Sequence, residues 1–138
     1  MSKKIAKTTG YNPTYHDGQF VSPYESTISF CDWLVELGVI ENNRSSNISD
    51  LGCGKGFLLY EFTKILPGIK VRGLDISQYA IENAKEEVKP FISVNNILEL
   101  PFETEEFDLV ISINVLHNLY IDALWSAVKE MERVGKEK

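Results

Sequence analysis

Residues 48–59 read Ile48-Ser49-Asp50-Leu51-Gly52-Cys53-Gly54-Lys55-Gly56-Phe57-Leu58-Leu59. Ile48 to Leu51 is an apolar stretch short enough for a buried strand. Phe57, Leu58, Phe62, Ile65 and Leu66 share one side of a helix from about Gly56 to Leu66, which Pro67 and Gly68 end. Between strand and helix stand three glycines. A strand turning sharply into a helix needs backbone angles that glycine tolerates best, and the absent side chains let a ligand approach the backbone and the helix N-terminus.

Working outward, the alternation of strand and helix continues. Ile69, Val71, Leu74 and Ile76 fit a strand ending near Asp75, and Ile81, Ala84 and Val88 stripe a helix from Ser77 to about Lys89. Phe91–Val94 reads as a third strand and Phe107–Ile113 as a fourth. Leu124, Ala127, Val128 and Met131 line a last helix over Ile121–Val134. Upstream, Ser22, Pro23 and Glu25 spell a capping box for a helix over about 22–37, with Ile28, Cys31, Leu34 and Val35 at helical spacing and Gly38 as a left-handed stop. Gly10 to Pro23, with Tyr11, Tyr15 and Phe20, reads as an aromatic-rich loop. Strands alternating with helices imply a parallel sheet covered on both faces, a doubly wound α/β fold.

The chain has 138 residues, the size of one domain, and 43% hydrophobic residues supply one core. Fourteen basic against twenty acidic residues leave a net charge of −6, which argues against a nucleic-acid partner. The longest uncharged run, Leu109 to Ile121, is too short and too polar to span a bilayer, and no apolar run follows the N-terminal lysines as in a secretory signal. A cytoplasmic location is expected, with Cys31 and Cys53 reduced and no metal site.

Three ligand classes compete for the glycine turn. A phosphate-binding P-loop needs Ser or Thr after its Lys, and Gly56 follows Lys55. The dinucleotide fingerprint needs Gly or Ala where Phe57 stands, which weakens it without excluding it. A ligand with ribose and adenine but no phosphate suits the G-x-G-x-G turn. Asp75, 23 residues after Gly52, can accept hydrogen bonds from ribose hydroxyls; its plainer role is an acid at a helix start before Ser77.

The segment ISDLGCGKGFLL, the strand VRGLDIS and the stretch NNILELPFETEEFDLVISINVLHNL resemble class I S-adenosylmethionine-dependent methyltransferases, with Leu100-Pro101, Phe107-Asp108 and Val115-Leu116-His117 in the family's order. The resemblance covers about Ile48 to Val134 and implies S-adenosyl-L-methionine as cofactor. It implies a division into an N-terminal lid loop and helix (1–47) and a cofactor-binding core (48–138). Gly52, Gly54 and Gly56 would underlie the methionine portion, with Asp50 reaching its ammonium and the Cys53 backbone nearby. Asp75 would hold the ribose and Ile76 would pack on adenine. Asn96 stands where the family commonly has Asp; its carbonyl and the Ile97 amide would meet the adenine edge. Asn114 would face the methionine portion and the methyl group.

The resemblance also implies methyl transfer, with no catalytic residue assigned, and the acidic balance points to a small-molecule or protein acceptor; His117, His16 and Tyr15 are weak candidates for a base. A non-catalytic cofactor-binding module and, behind it, a nicotinamide-dependent oxidoreductase fragment remain the alternatives. The family sheet has seven strands, whereas this Rossmann-like sheet is expected to hold strands one to four and lack five to seven. Strand four would then expose an edge open to a second copy of the chain.

Overall fold

The computed structural model describes residues 5–6, 25–41 and 46–137. Five parallel strands form one sheet: β1 (Ile5–Ala6), β2 (Asn47–Leu51), β3 (Lys70–Asp75), β4 (Ile92–Val94) and β5 (Leu109–Ile111), in the order β1-β5-β2-β3-β4. The helices are α1 (Glu25–Glu36), α2 (Phe57–Ile65), α3 (Gln78–Glu82) and α4 (Ile121–Val134). The sheet is covered on both faces. Ile48, Val71, Leu109 and Ile111 pack with Cys31 and Leu34 of α1 and Leu59 and Phe62 of α2. Leu51, Leu74 and Val110 pack with Ala127, Met131 and Val134 of α4. Alternate residues along each strand thus serve opposite layers. The chain builds outward from β2 to β4 and returns to β5 on the other side of β2. The change of direction therefore lies between β2 and β5, where ligands of such sheets bind at the carboxyl ends of the strands.

Several sequence expectations hold closely. The last helix has the expected bounds. At the end of α1, Gly38 has φ +70°, its N–H donates to the Val35 carbonyl at 3.0 Å, and the Val39 N–H donates to the Leu34 carbonyl at 3.0 Å. This is a Schellman stop. Ser22 and Pro23 lie outside the described residues.

Other expectations need correction. The helix expected to reach Lys89 ends at Glu82. Asn83 turns its side-chain amide onto the Tyr79 carbonyl, and the Lys85 N–H donates across the fold to the Lys55 carbonyl at 2.9 Å instead of continuing the helix. A tertiary bond has displaced a helical one. Phe91 belongs to a 3-10 turn before β4, and Phe107 makes an isolated bridge to Gly135 outside β5.

The outer edge of the strand expected to be fourth is not open along its length. β1 pairs with it in parallel, Ile5 opposite Val110 and Ala6 opposite Ile111. Two residues between lysines carry no strand periodicity, so nothing in the sequence marks them.

Side chains pin the long connection from β4 to β5. The Arg133 guanidinium donates to the Phe102 and Leu100 carbonyls at 2.9 and 3.1 Å and pairs with Glu130, which accepts the Leu100 N–H at 2.9 Å. Phe102 meets Phe107 edge-on with centroids 4.9 Å apart. At the amino edge, the Asp108 carboxylate accepts the Asn47 N–H at 2.8 Å and lies 3.3 Å from the Lys136 ammonium. Among the described residues no helix is long and apolar enough to cross a membrane.

Gly73 in β3 brings the sheet against the glycine turn. A Cβ there would lie 2.7 Å from Leu59 Cδ1 and 2.9 Å from both Cys53 Sγ and Ile92 Cγ2. Gly73→Ala is expected to lower unfolding free energy by about 1–3 kcal/mol in urea titration, the usual cost of overpacking; unchanged stability would show that the β3 layer yields without cost.

Candidate functional site

The carboxyl ends of β2, β3, β4 and β5 lie along one edge of the sheet because all four are parallel. From β2, the chain enters the glycine turn and reaches α2 at Phe57. Gly52, Gly54 and Gly56 take φ of +89°, +57° and +79°. At Gly52 space is also limiting, since a Cβ would lie 2.2 Å from Val115 Cγ2. At Gly54 a Cβ would meet nothing within 4 Å, so the turn offers bare backbone there.

The turn is held to β3 by its own donors. The N–H groups of Gly52 and Cys53 both donate to the Leu74 carbonyl, at 2.7 and 2.9 Å. The Gly54 N–H donates to Asp75 Oδ2 at 2.9 Å, and Asp75 Oδ1 accepts the Ser77 N–H at 2.9 Å. Ser77 caps α3 by accepting the Ala80 N–H at 3.2 Å. Asp75 therefore performs the plainer role, at a helix start, and also clasps the glycine turn. Each of its oxygens keeps a lone pair for a further donor.

Asp50 lies one residue before the end of β2 and is 4% exposed. Its Oδ1 is buried with no hydrogen-bond partner among the described residues. Burial, and then the Asp75 charge, push its carboxyl up to about 7. The Cys53 thiol is raised far above its usual range by burial, then by Asp50 and Asp75, so it is a packed group and not a nucleophile.

The remaining expected residues line the same edge. Ile76 follows Asp75 and is 72% exposed, an apolar side chain with no cover. Asn96 is exposed, and its Oδ1 accepts the Leu98 N–H at 3.0 Å, so the oxygen expected to meet a base edge already closes a local turn. The Ile97 side chain is buried in the α4-side core, which leaves its backbone for any contact at the edge. Asn114 follows β5 with φ +57°, and its carbonyl accepts the Asn118 side-chain amide at 3.3 Å. This left-handed turn delivers Val115 against Gly52.

His117 is exposed in a 3-10 turn, whereas His16 and Tyr15 lie outside the described residues. Three contributors are given no role at the site by the sequence: Gly73, Val115, and Ser112, whose hydroxyl donates to the Leu51 carbonyl at 2.9 Å. A lone glycine inside a strand is a legible sign of close backbone approach. The other two act through contacts distant in sequence.

The family model described as a methyltransferase domain matches residues 49–138. The chain belongs to the class I S-adenosylmethionine-dependent methyltransferase family. Among curated methyltransferases it is 33% identical over 92 residues to the malonyl-[acyl-carrier protein] O-methyltransferase of Legionella pneumophila, covering 63% of this chain and 31% of that protein. It is 32% identical over 115 residues to the human protein named probable tRNA methyltransferase 9B, covering 82% of this chain and 24% of that one. The methyltransferase fold recurs in the crystal structure of a proposed S-adenosyl-L-methionine-dependent methyltransferase from Methanococcus maripaludis, with a TM-score of 0.65 at 20% identity over 80% of this chain and 51% of that one. The chain thus spans about a quarter to a third of these two curated methyltransferases.

A carboxyl group raised from 3.8 to about 7 binds its proton more tightly in the folded chain than in the unfolded one. Its contribution to stability therefore falls as pH rises from about 4 to 7, by on the order of a few kcal/mol. Asp50→Asn is expected to flatten that fall in the ligand-free chain, measured as urea midpoints across the window; parallel profiles would place the raised titration elsewhere.

Proposed function

We propose that this chain binds S-adenosyl-L-methionine at the carboxyl edge of its sheet and serves a methyl transfer to a small-molecule or protein acceptor. The observation that carries the cofactor assignment is the pair of carboxylates, Asp50 and Asp75, set over a glycine turn whose Gly52, Cys53 and Gly54 N–H groups are already engaged within the protein. A pyrophosphate needs such donors and is repelled by the Asp75 carboxylate, which disfavours the dinucleotide alternative. A ligand with an ammonium, a sulfonium and ribose hydroxyls has the opposite needs, and the buried oxygen of Asp50 lacks only a donor.

In this assignment Asp75 accepts from the ribose hydroxyls with the lone pairs left by Gly54 and Ser77. Asp50 takes the ammonium, and the bare backbone at Gly54 lets the methionine portion lie close, with Gly52, Gly56 and the Cys53 backbone beneath it. Ile76 is covered by adenine, whose edge meets Asn96 and Ile97. The cofactor supplies a methyl group already activated by the positive sulfur. What remains for the chain is to orient it: Asn114 and the turn after β5 face the methyl end, and alignment of acceptor, methyl and sulfur with water excluded supplies the rate without a covalent intermediate on the protein. Every side chain so assigned lies within 48–138, which we propose as the cofactor-binding core.

The net charge of −6 supports an acceptor other than nucleic acid, although a bovine and a human relative are each named probable tRNA methyltransferase 9B. Transfer of labelled methyl into a metabolite and protein extract, with bulk tRNA offered in parallel, separates these acceptors; label in tRNA alone would overturn the acceptor proposal.

For the cofactor, calorimetry with S-adenosylhomocysteine should show saturable binding and NAD should give no heat. Asp75→Ala, which removes both ribose bonds and the clasp on Gly54, should weaken binding at least about tenfold, the scale of one charge-assisted hydrogen bond. Binding of NAD, or full affinity in Asp75→Ala, would contradict the assignment.

A further inference from the structure

We propose that Asp50 loses a proton to solvent when the amino-acid end of the cofactor binds, so that cofactor capture by this chain is coupled to proton release. The inference rests on the cofactor reading given above and adds a regulation of that site. It starts from the surroundings of the Asp50 carboxyl. The group is 4% exposed, and Oδ1 has no partner among the described residues. Three backbone donors of the turn are engaged elsewhere: Gly52 and Cys53 hold the Leu74 carbonyl, and Gly54 holds Asp75.

Among the described residues, the titratable groups set against it offer no counter-charge. Asp75 at the end of β3 is a second acid, Cys53 in the turn is a neutral thiol, and the ladder neighbours of Asp50 are Gly73 on β3 and Ile111 on β5. The one cation of the turn, Lys55, holds its ammonium over the Tyr79 ring, 5.6 Å from the centroid. An ionised Asp50 in the ligand-free chain would be a buried charge beside a like charge, with no donor on Oδ1 among the described residues. Such a carboxyl keeps its proton to near neutrality, about pH 7 here.

An α-ammonium group changes both conditions at once. It brings a positive charge and N–H donors to the orphaned oxygen, and either one favours the carboxylate. The proton of Asp50 passes to bulk water, the ammonium keeps its own protons, and no covalent bond is made or broken. Below about pH 7 the free chain then holds a proton that the bound chain lacks. Affinity rises with pH by up to about tenfold per unit in that range and levels off above it.

The test is calorimetry of S-adenosylhomocysteine at pH 6.5 in phosphate and in imidazole, whose ionisation enthalpies differ. The slope of observed heat against ionisation enthalpy counts the protons. Between about one half and one proton should be released per site, and the dissociation constant should weaken up to about tenfold from pH 7 to pH 6. Two comparisons assign the proton. 5′-Methylthioadenosine, which keeps the ribose and adenine but has no ammonium, should bind with no release and little pH dependence. Asp50→Asn should bind S-adenosylhomocysteine more weakly and with no release.

Saturable binding of S-adenosylhomocysteine without proton release would overturn the coupling and leave the cofactor reading standing. Equal release with 5′-methylthioadenosine, or undiminished release in Asp50→Asn, would overturn it by assigning the proton to another group. Absence of binding from pH 5.5 to 8, in protein that unfolds cooperatively, would overturn the cofactor reading and the coupling with it.

Discussion

The Leu74 carbonyl accepts two N–H groups of the glycine turn, and the carboxylate of the next residue, Asp75, accepts a third. These bonds tie the end of β3 to the loop that leaves β2, and they set the geometry of the whole edge. Because the donors of Gly52, Cys53 and Gly54 are turned inward, those three N–H groups do not form a nest for phosphate. Because Asp75 reaches forward to Ser77 as well, the same side chain fixes where α3 begins and where Ile76 stands exposed. Gly73 makes the contact sterically possible, since any larger residue in β3 would press on Cys53 and Leu59.

The second organising feature is electrostatic. Two carboxyl groups share the carboxyl edge, one with a single backbone donor on each oxygen and one buried with an oxygen that has no partner among the described residues. A protein interior tolerates an unpaired acid at a cost, which is lowered by keeping the proton. That cost is a reasonable one for a binding site to carry, because a cationic ligand removes it. In the proposed assignment, the same arrangement favours a zwitterionic, sulfonium-bearing cofactor over a dinucleotide through charge.

Much of this was legible before the fold was known. The glycine turn between an apolar strand and an apolar helix marks the candidate site, Asp75 stands out by its distance from that turn, and the Gly38 stop and α4 follow from local spacing alone. Apart from Asp75, 23 residues beyond Gly52, those features share a cause: each is decided by residues within one or two turns of one another. What escaped notice depends on partners far along the chain. α3 stops at Glu82 because Lys85 bonds to Lys55, and β1 exists because β5 offers an edge. Val115 matters through the space left by Gly52. Asn96 was legible as a substitution for the family's usual Asp, but its bond to the Leu98 N–H is a turn interaction that the family comparison does not anticipate.

The claim on which the functional reading depends is that Asp50 and Asp75 together receive one cofactor. A crystal structure of the chain grown with S-adenosylhomocysteine tests it most directly. Ribose hydroxyls on the Asp75 carboxylate and the ammonium on Asp50 Oδ1, with the ligand backbone passing over Gly54, is the expected result. A ligand seated elsewhere on the sheet edge, or one whose ammonium turns away from Asp50 toward solvent, would contradict it.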